Sequence, residues 1–109
     1  MIAVTQQSQT VHIDLGDRSY PIVISADLLA QPSTYAQCPP AAQALIVTNT
    51  TVQPLYAAQL KAALEGKYQQ VHTVVLPDGE AHKDWQTLNL IFDGLLSNGC
   101  DRKTVLFAL

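Results

Sequence analysis

Two short polar segments hold most of the side chains able to bind or react. One is Thr48-Asn49-Thr50-Thr51 and the other is Asp78-Gly79-Glu80-Ala81-His82-Lys83. A carboxylate such as Glu80 accepts hydrogen bonds from sugar hydroxyls, whereas the Lys83 ammonium can only donate. Asp78-Gly79 has the composition of a tight turn that brings backbone close to a ligand. A plainer reading is structural, because Thr, Asn and Asp are the usual caps at helix starts. Spacing alone leaves both readings open.

Other chemistries find little support. His12, His72 and His82 share no metal-ligand spacing, and no H-E-x-x-H is present. His12 and His72 fall on expected strands and read as surface or packed histidines. Cys38 and Cys100 form no C-x-x-C and read as free thiols. Ser8, Ser19, Ser25, Ser33 and Ser97 lack a nucleophile-elbow context. Neither G-x-G-x-x-G nor G-x-x-x-x-G-K-[ST] occurs, so the chain has no recognisable pyrophosphate cradle.

The elements that must position the two segments follow from periodicity. Residues 10–15 alternate apolar Val11, Ile13 and Leu15 with polar His12 and Asp14, the pattern of a half-buried strand. Gly16-Asp17-Arg18-Ser19 supplies a turn, and residues 20–25 a second strand, with Pro21 favouring an edge. Asp27 is a candidate N-cap for a short helix, and Cys38-Pro39-Pro40 breaks regular structure. Ala44-Leu45-Ile46-Val47-Thr48 then reads as a strand covered on both faces.

A helix follows on Val52, Leu55, Tyr56, Leu60 and Leu64, with Pro54 in its first turn and Gly66 as its stop. Residues 71–76 form the next strand. The strongest helical stripe comprises Trp85, Leu88, Ile91, Phe92, Leu95 and Leu96, with Asp84 as N-cap and Asn98-Gly99 as C-cap. Trp85 reads as a core anchor. Asp101-Arg102-Lys103 is a solvated connection into an apolar strand at 104–109. Two strand-helix units entering a third strand predict a parallel α/β sheet preceded by an antiparallel hairpin. Both polar segments then project from the same edge, where open α/β sheets bind ligands.

Composition narrows the setting. The 109 residues are 48% hydrophobic and 14% charged, with a formal net charge of −3. Such a chain has enough apolar material for one core and no basic block to attract nucleic acid or anionic membrane. Met1 to Gln7 contains neither a basic n-region nor a sustained apolar h-region, and no stretch approaches membrane-spanning length. The expectation is a soluble cytoplasmic domain. Its end on the apolar run at 104–109 suggests one part of a larger enzyme.

Several segments together resemble the amino-terminal region of the 3-dehydroquinate synthase family. They are Leu15-Gly16-Asp17-Arg18-Ser19-Tyr20-Pro21-Ile22, Ile46-Val47-Thr48-Asn49, Pro54-Leu55-Tyr56, and Leu76-Pro77-Asp78-Gly79-Glu80 with Lys83. Thr87-Leu88-Asn89 and Asp101-Arg102 complete the set. The most specific element is P-D-G-E-x-x-K followed by T-L-N on a helix. The resemblance spans nearly the whole chain apart from the first residues and the connector at 30–43.

What the resemblance implies is a Rossmann-like open sheet over residues 1–109, an amino-terminal NAD-binding α/β domain lacking the carboxy-terminal metal and substrate domain. Asp78, Gly79, Glu80, Ala81, His82 and Lys83 would contact NAD, with Glu80 and Lys83 near the adenosine half. The Thr48-Asn49-Thr50-Thr51 turn would line the adenine ribose region, with Asn49 and Thr51 as its cofactor contacts. Some members of the family carry Asp in place of Asn49, and an amide is the weaker acceptor. The family's glycine-rich pyrophosphate loop and its divalent metal ligands, for zinc or cobalt, match no residue here. No catalytic or metal-ligating residue is therefore assigned.

In this family 3-deoxy-D-arabino-heptulosonate 7-phosphate becomes 3-dehydroquinate and phosphate, a step of the shikimate pathway to aromatic amino acids. The implied partners are NAD and a sugar phosphate, with a homodimer for the full-length enzyme. By itself the chain is expected to turn nothing over. The alternatives are a related sugar phosphate cyclase of the inosose or valiolone synthase type, and a non-catalytic α/β interaction module.

Overall fold

The apolar run at 44–48 lies at the middle of the molecule. The computed structural model describes residues 8–109, so the leader reading made for Met1 to Gln7 lies outside the described residues. The fold is mixed α/β, with a two-stranded antiparallel ribbon and a three-stranded parallel sheet. In the parallel sheet β3 (Gln43–Asn49) is flanked by β4 (Gln70–Leu76) and β5 (Val105–Ala108). Leu45 and Ile46 are fully buried although they point to opposite faces, as a central strand covered on both sides requires.

The faces are covered by different helices. On one, Leu60, Ala63 and Leu64 join Ala44, Ile46 and Val71 in a single core. Leu60, Ala63 and Leu64 belong to α1 (Ala58–Leu64), which is preceded by a π-helical turn over Gln53–Ala57. On the other face α2 (Trp85–Ser97) lies against β4, with Gly94 directly over the Val74 side chain. The connections from β3 to β4 and from β4 to β5 run in opposite directions, with their helices on opposite faces. Both therefore share one hand, as crossover connections do.

The core extends under the connector at 30–43. Tyr35 and Tyr68 meet Phe107 of β5 edge-on, with ring centroids 5.8 Å apart in each pair. Burial, then the neighbouring Cys38, raises the pKa of both tyrosines. Each phenol donates to a carbonyl, Tyr35 to Leu29 at 2.7 Å and Tyr68 to Pro39 at 2.8 Å. Lys67 spends its three N–H donors on the carbonyls of Tyr35, Ala36 and Cys38, at 2.9, 3.1 and 2.6 Å. That ammonium ties the connector to the turn between α1 and β4. Cys38 and Cys100 are free thiols.

The ribbon pairs β1 (Gln9–Ile13) with β2 (Tyr20–Ile24) in the register Val11 to Ile22 and Ile13 to Tyr20. Leu15 lies outside the strand and leads into a 3-10 turn over Gly16–Arg18, where Gly16 takes φ +64°. Pro21 is tolerated opposite His12 because both strands of a two-stranded ribbon are edges.

Two local expectations are corrected, at Asp27 and Trp85. Asp27 caps no helix and instead takes φ +61° within a turn, a conformation Asp accepts more readily than most residues. Gly66 does follow the end of α1, where the Lys67 and Tyr68 N–H groups fold onto the Leu64 carbonyl. Trp85 is not a core anchor: it is 70% exposed, and Leu96 is 78% exposed. The small Gly94 seats α2, so the face carrying Trp85 and Leu96 turns outward. Among the described residues no helix is long and apolar enough to cross a membrane.

Candidate functional site

Because β3, β4 and β5 are parallel, their carboxyl ends share one edge. A cleft of about 400 Å³ opens there. Its apolar wall includes Val47, Leu76 and Leu109, and its polar wall Asn49, Asp78, Glu80, His82, Lys83 and Thr87. The position follows from topology. The chain leaves β3 toward β4 on one side and returns as β5 on the other, which opens a crevice between the diverging connections.

The two polar segments are joined through Asp78. Its carboxylate accepts from the Thr51 hydroxyl at 2.6 Å and from the Asn49 amide at 3.4 Å. The Asn49 side-chain oxygen is already committed, accepting the backbone N–H groups of Thr51 at 3.0 Å and Val52 at 2.8 Å. Asn49 thus does the work of a helix-start cap, and with one amide N–H given to Asp78 a single N–H remains for a ligand. Thr51 acts through Asp78, and neither Thr51 nor Ala81 lines the cleft.

Gly79 has φ +114° and ψ +154°, a region essentially restricted to glycine. It lets the chain double back into a 3-10 turn over Glu80–His82 without a Cβ over the cleft, and nothing lies within 4 Å of that position. On this turn Glu80 and Lys83 pair at 3.1 Å, with side chains 85% and 75% exposed. An ion pair so exposed contributes little to stability, so both groups can turn to a ligand at small cost.

The second wall is fixed by α2. Asp84 caps it by accepting from the Thr87 N–H at 2.8 Å. The Thr87 backbone bond, then the Thr87 side chain, holds the Asp84 carboxyl below its ordinary pKa, and His82 adds to the effect. The far end closes as expected at Asn98-Gly99. Gly99 takes φ +64°, with its N–H on Leu96 and the Cys100 N–H on Leu95. The helix is pinned at both ends, and Thr87 is presented to the cleft.

Of the residues singled out from sequence, Asn49, Asp78, Gly79, Glu80, His82 and Lys83 converge on one cleft. His12 lies exposed on the ribbon, while His72 bonds Gln43 at 2.7 Å in the parallel sheet. Among the described residues no group of three or more His, Cys, Asp or Glu is arranged to hold a metal ion. Thr48, the first residue of the 48–51 segment, also lines the cleft, and it does so from the end of β3 rather than from a loop. No protein-family model matches the chain.

Proposed function

We propose that this chain frames the adenosine side of an NAD site, as the amino-terminal cofactor-binding region of a 3-dehydroquinate synthase, on a Rossmann-like sheet. The observation that carries the reading is the convergence of Glu80, Lys83, Asp78 and Asn49 on one cleft at the carboxyl edge of a parallel sheet. Those residues belong to the segments that resemble the family, and the edge is the one where such sheets hold nucleotides. The donor set also fits. Exposed carboxylate oxygens accept ribose hydroxyls, and the backbone at Gly79 leaves room for a close approach.

In this reading Glu80 orients the ribose by accepting its hydroxyls, and Lys83 offers its ammonium to the anionic part of the ligand. Asp78 contributes indirectly, holding the loop after β3 and the loop after β4 at a fixed separation. Leu76 and Leu109 give the base an apolar wall. Bound NAD would supply reversible hydride acceptance, while the protein supplies placement. The proposed reaction is phosphate elimination from the sugar phosphate named above, in a cytoplasmic homodimer whose divalent metal has no ligands assigned in this chain.

The test is calorimetric titration of the chain with NAD and with ADP-ribose. Millimolar or tighter binding, weakened about tenfold or more by Glu80→Ala, supports the proposal. Titrations that stay flat with both ligands would sink it. A second reading, an interaction module, is favoured by the outward apolar face carrying Trp85 and Leu96. It predicts flat nucleotide titrations.

A further inference from the structure

A second cleft, of about 470 Å³, shares no lining residue with the first and has the size of a small-molecule site. Three separate segments build it: the turn after β2, the connector, and the start of the helix after β3. Asp27 and Tyr56 both line it, and each rests on uncommon backbone. Asp27 is the non-glycine residue at positive φ among the described residues, and Tyr56 belongs to the π-helical turn over Gln53–Ala57. Such conformations gather at functional sites. The connector side is already committed. The Thr34 hydroxyl donates to the Leu28 carbonyl at 2.6 Å, and the Tyr35 phenol to that of Leu29 at 2.7 Å. Those bonds hold the turn in shape and remove two donors from the cleft.

Asp27 carries the one charged side chain among the lining residues, which include no Lys, Arg or His. The first cleft sets Lys83 and His82 beside its carboxylates, so the two clefts suit different ligands. We propose that the second cleft binds a small organic cation, an aliphatic ammonium or guanidinium ion-paired to Asp27. A carboxylate has about four lone-pair sites, so Asp27 can serve the chain and a ligand together. The Tyr56 side chain is 47% exposed, and an aromatic ring attracts the same charge through its face. Leu28 and Leu29 give the ligand's methylenes an apolar wall. This site stands independently of the nucleotide reading.

The experiment follows backbone amide NMR shifts of the chain during titration with cadaverine, pentanediol and glutarate, which share one chain length and differ in charge. Cadaverine is expected to bind with a Kd of about 1 mM and to shift residues 27–30, 34, 35, 56 and 59. Asp27→Asn keeps a residue that tolerates the left-handed turn and should weaken cadaverine about fivefold. Tyr56→Leu should weaken it about threefold, whereas Tyr56→Phe keeps the ring and should stay within about twofold. A flat cadaverine titration to about 20 mM overturns the proposal, as do equal shifts from pentanediol or glutarate. Unchanged affinity in Asp27→Asn overturns it too. If Asp27→Asn does not fold, the tyrosine pair decides, and equal affinity in Tyr56→Leu and Tyr56→Phe overturns it.

Discussion

Gly94→Ala should destabilise the protein, against the ordinary rule for helix interiors. In a solvated helix the change gains about 1 kcal/mol of propensity. Here the added Cβ would overlap Val74 Cγ2 and lie 3.8 Å from Val74 Cβ. Val74 is β-branched, sits within β4 and pairs across the ladder with Val47, so it has little freedom to turn aside. Overpacking of that kind costs about 1–3 kcal/mol. The net expectation is a loss of about 1 kcal/mol, read in urea unfolding followed by circular dichroism. Val74→Ala should relieve the overlap, so the double variant should show a coupling of about 1–3 kcal/mol. If Gly94→Ala stabilises by its full propensity gain, and the two changes add within about 0.5 kcal/mol, α2 is not seated through Gly94. The outward placement of Trp85 would then need another cause.

Two further outcomes test the frame of the cleft. Asp84 has a depressed pKa in the folded protein, so its contribution is fully present above the unfolded carboxylate range and is lost as pH falls through the folded value. Asp84→Asn keeps an N-cap without the charge. It should remove that part of the fall in Tm on acidification, and identical Tm-versus-pH curves would refute the assignment. Lys67→Met keeps the aliphatic stem but leaves three carbonyls without their ammonium. A loss of about 1–2 kcal/mol is expected, with faster amide exchange around Tyr35 and Cys38. Unchanged stability and exchange would show that the connector is held without Lys67.

The fold was legible wherever a local signal and the tertiary requirement agreed. The run at 44–48 is apolar at successive positions because β3 is covered on both faces, and Asp84 and Asn98-Gly99 end α2 by chemistry confined to a few residues. The errors arise where distant contacts decide. Trp85 and Leu88 belong to a genuine helical stripe, but periodicity cannot say which part of it turns toward the sheet. Gly94 over Val74 decides that, across twenty residues of sequence. Lys67 looked like one scattered cation because its three acceptors lie about thirty residues away. Asp27 had the residue type of a cap, and its backbone used the other ability of Asp, a left-handed turn.

The candidate site divides by the same distinction. Both polar segments were visible as loops after strands, and parallel pairing brings them together. Their division of labour was not visible, because it depends on which hydrogen bonds are already made. Asn49 is occupied by the backbone of Thr51 and Val52, and Thr51 is occupied by Asp78. These three hold the mouth of the cleft in shape, whereas Glu80 and Lys83 have only a solvent-screened partner to leave. Substitutions at Asn49, Thr51 or Asp78 should therefore cost folding stability and affinity together, while Glu80→Ala should cost affinity alone. Residue type placed all five in one loop system; the committed hydrogen bonds separate the scaffold from the groups able to touch a ligand.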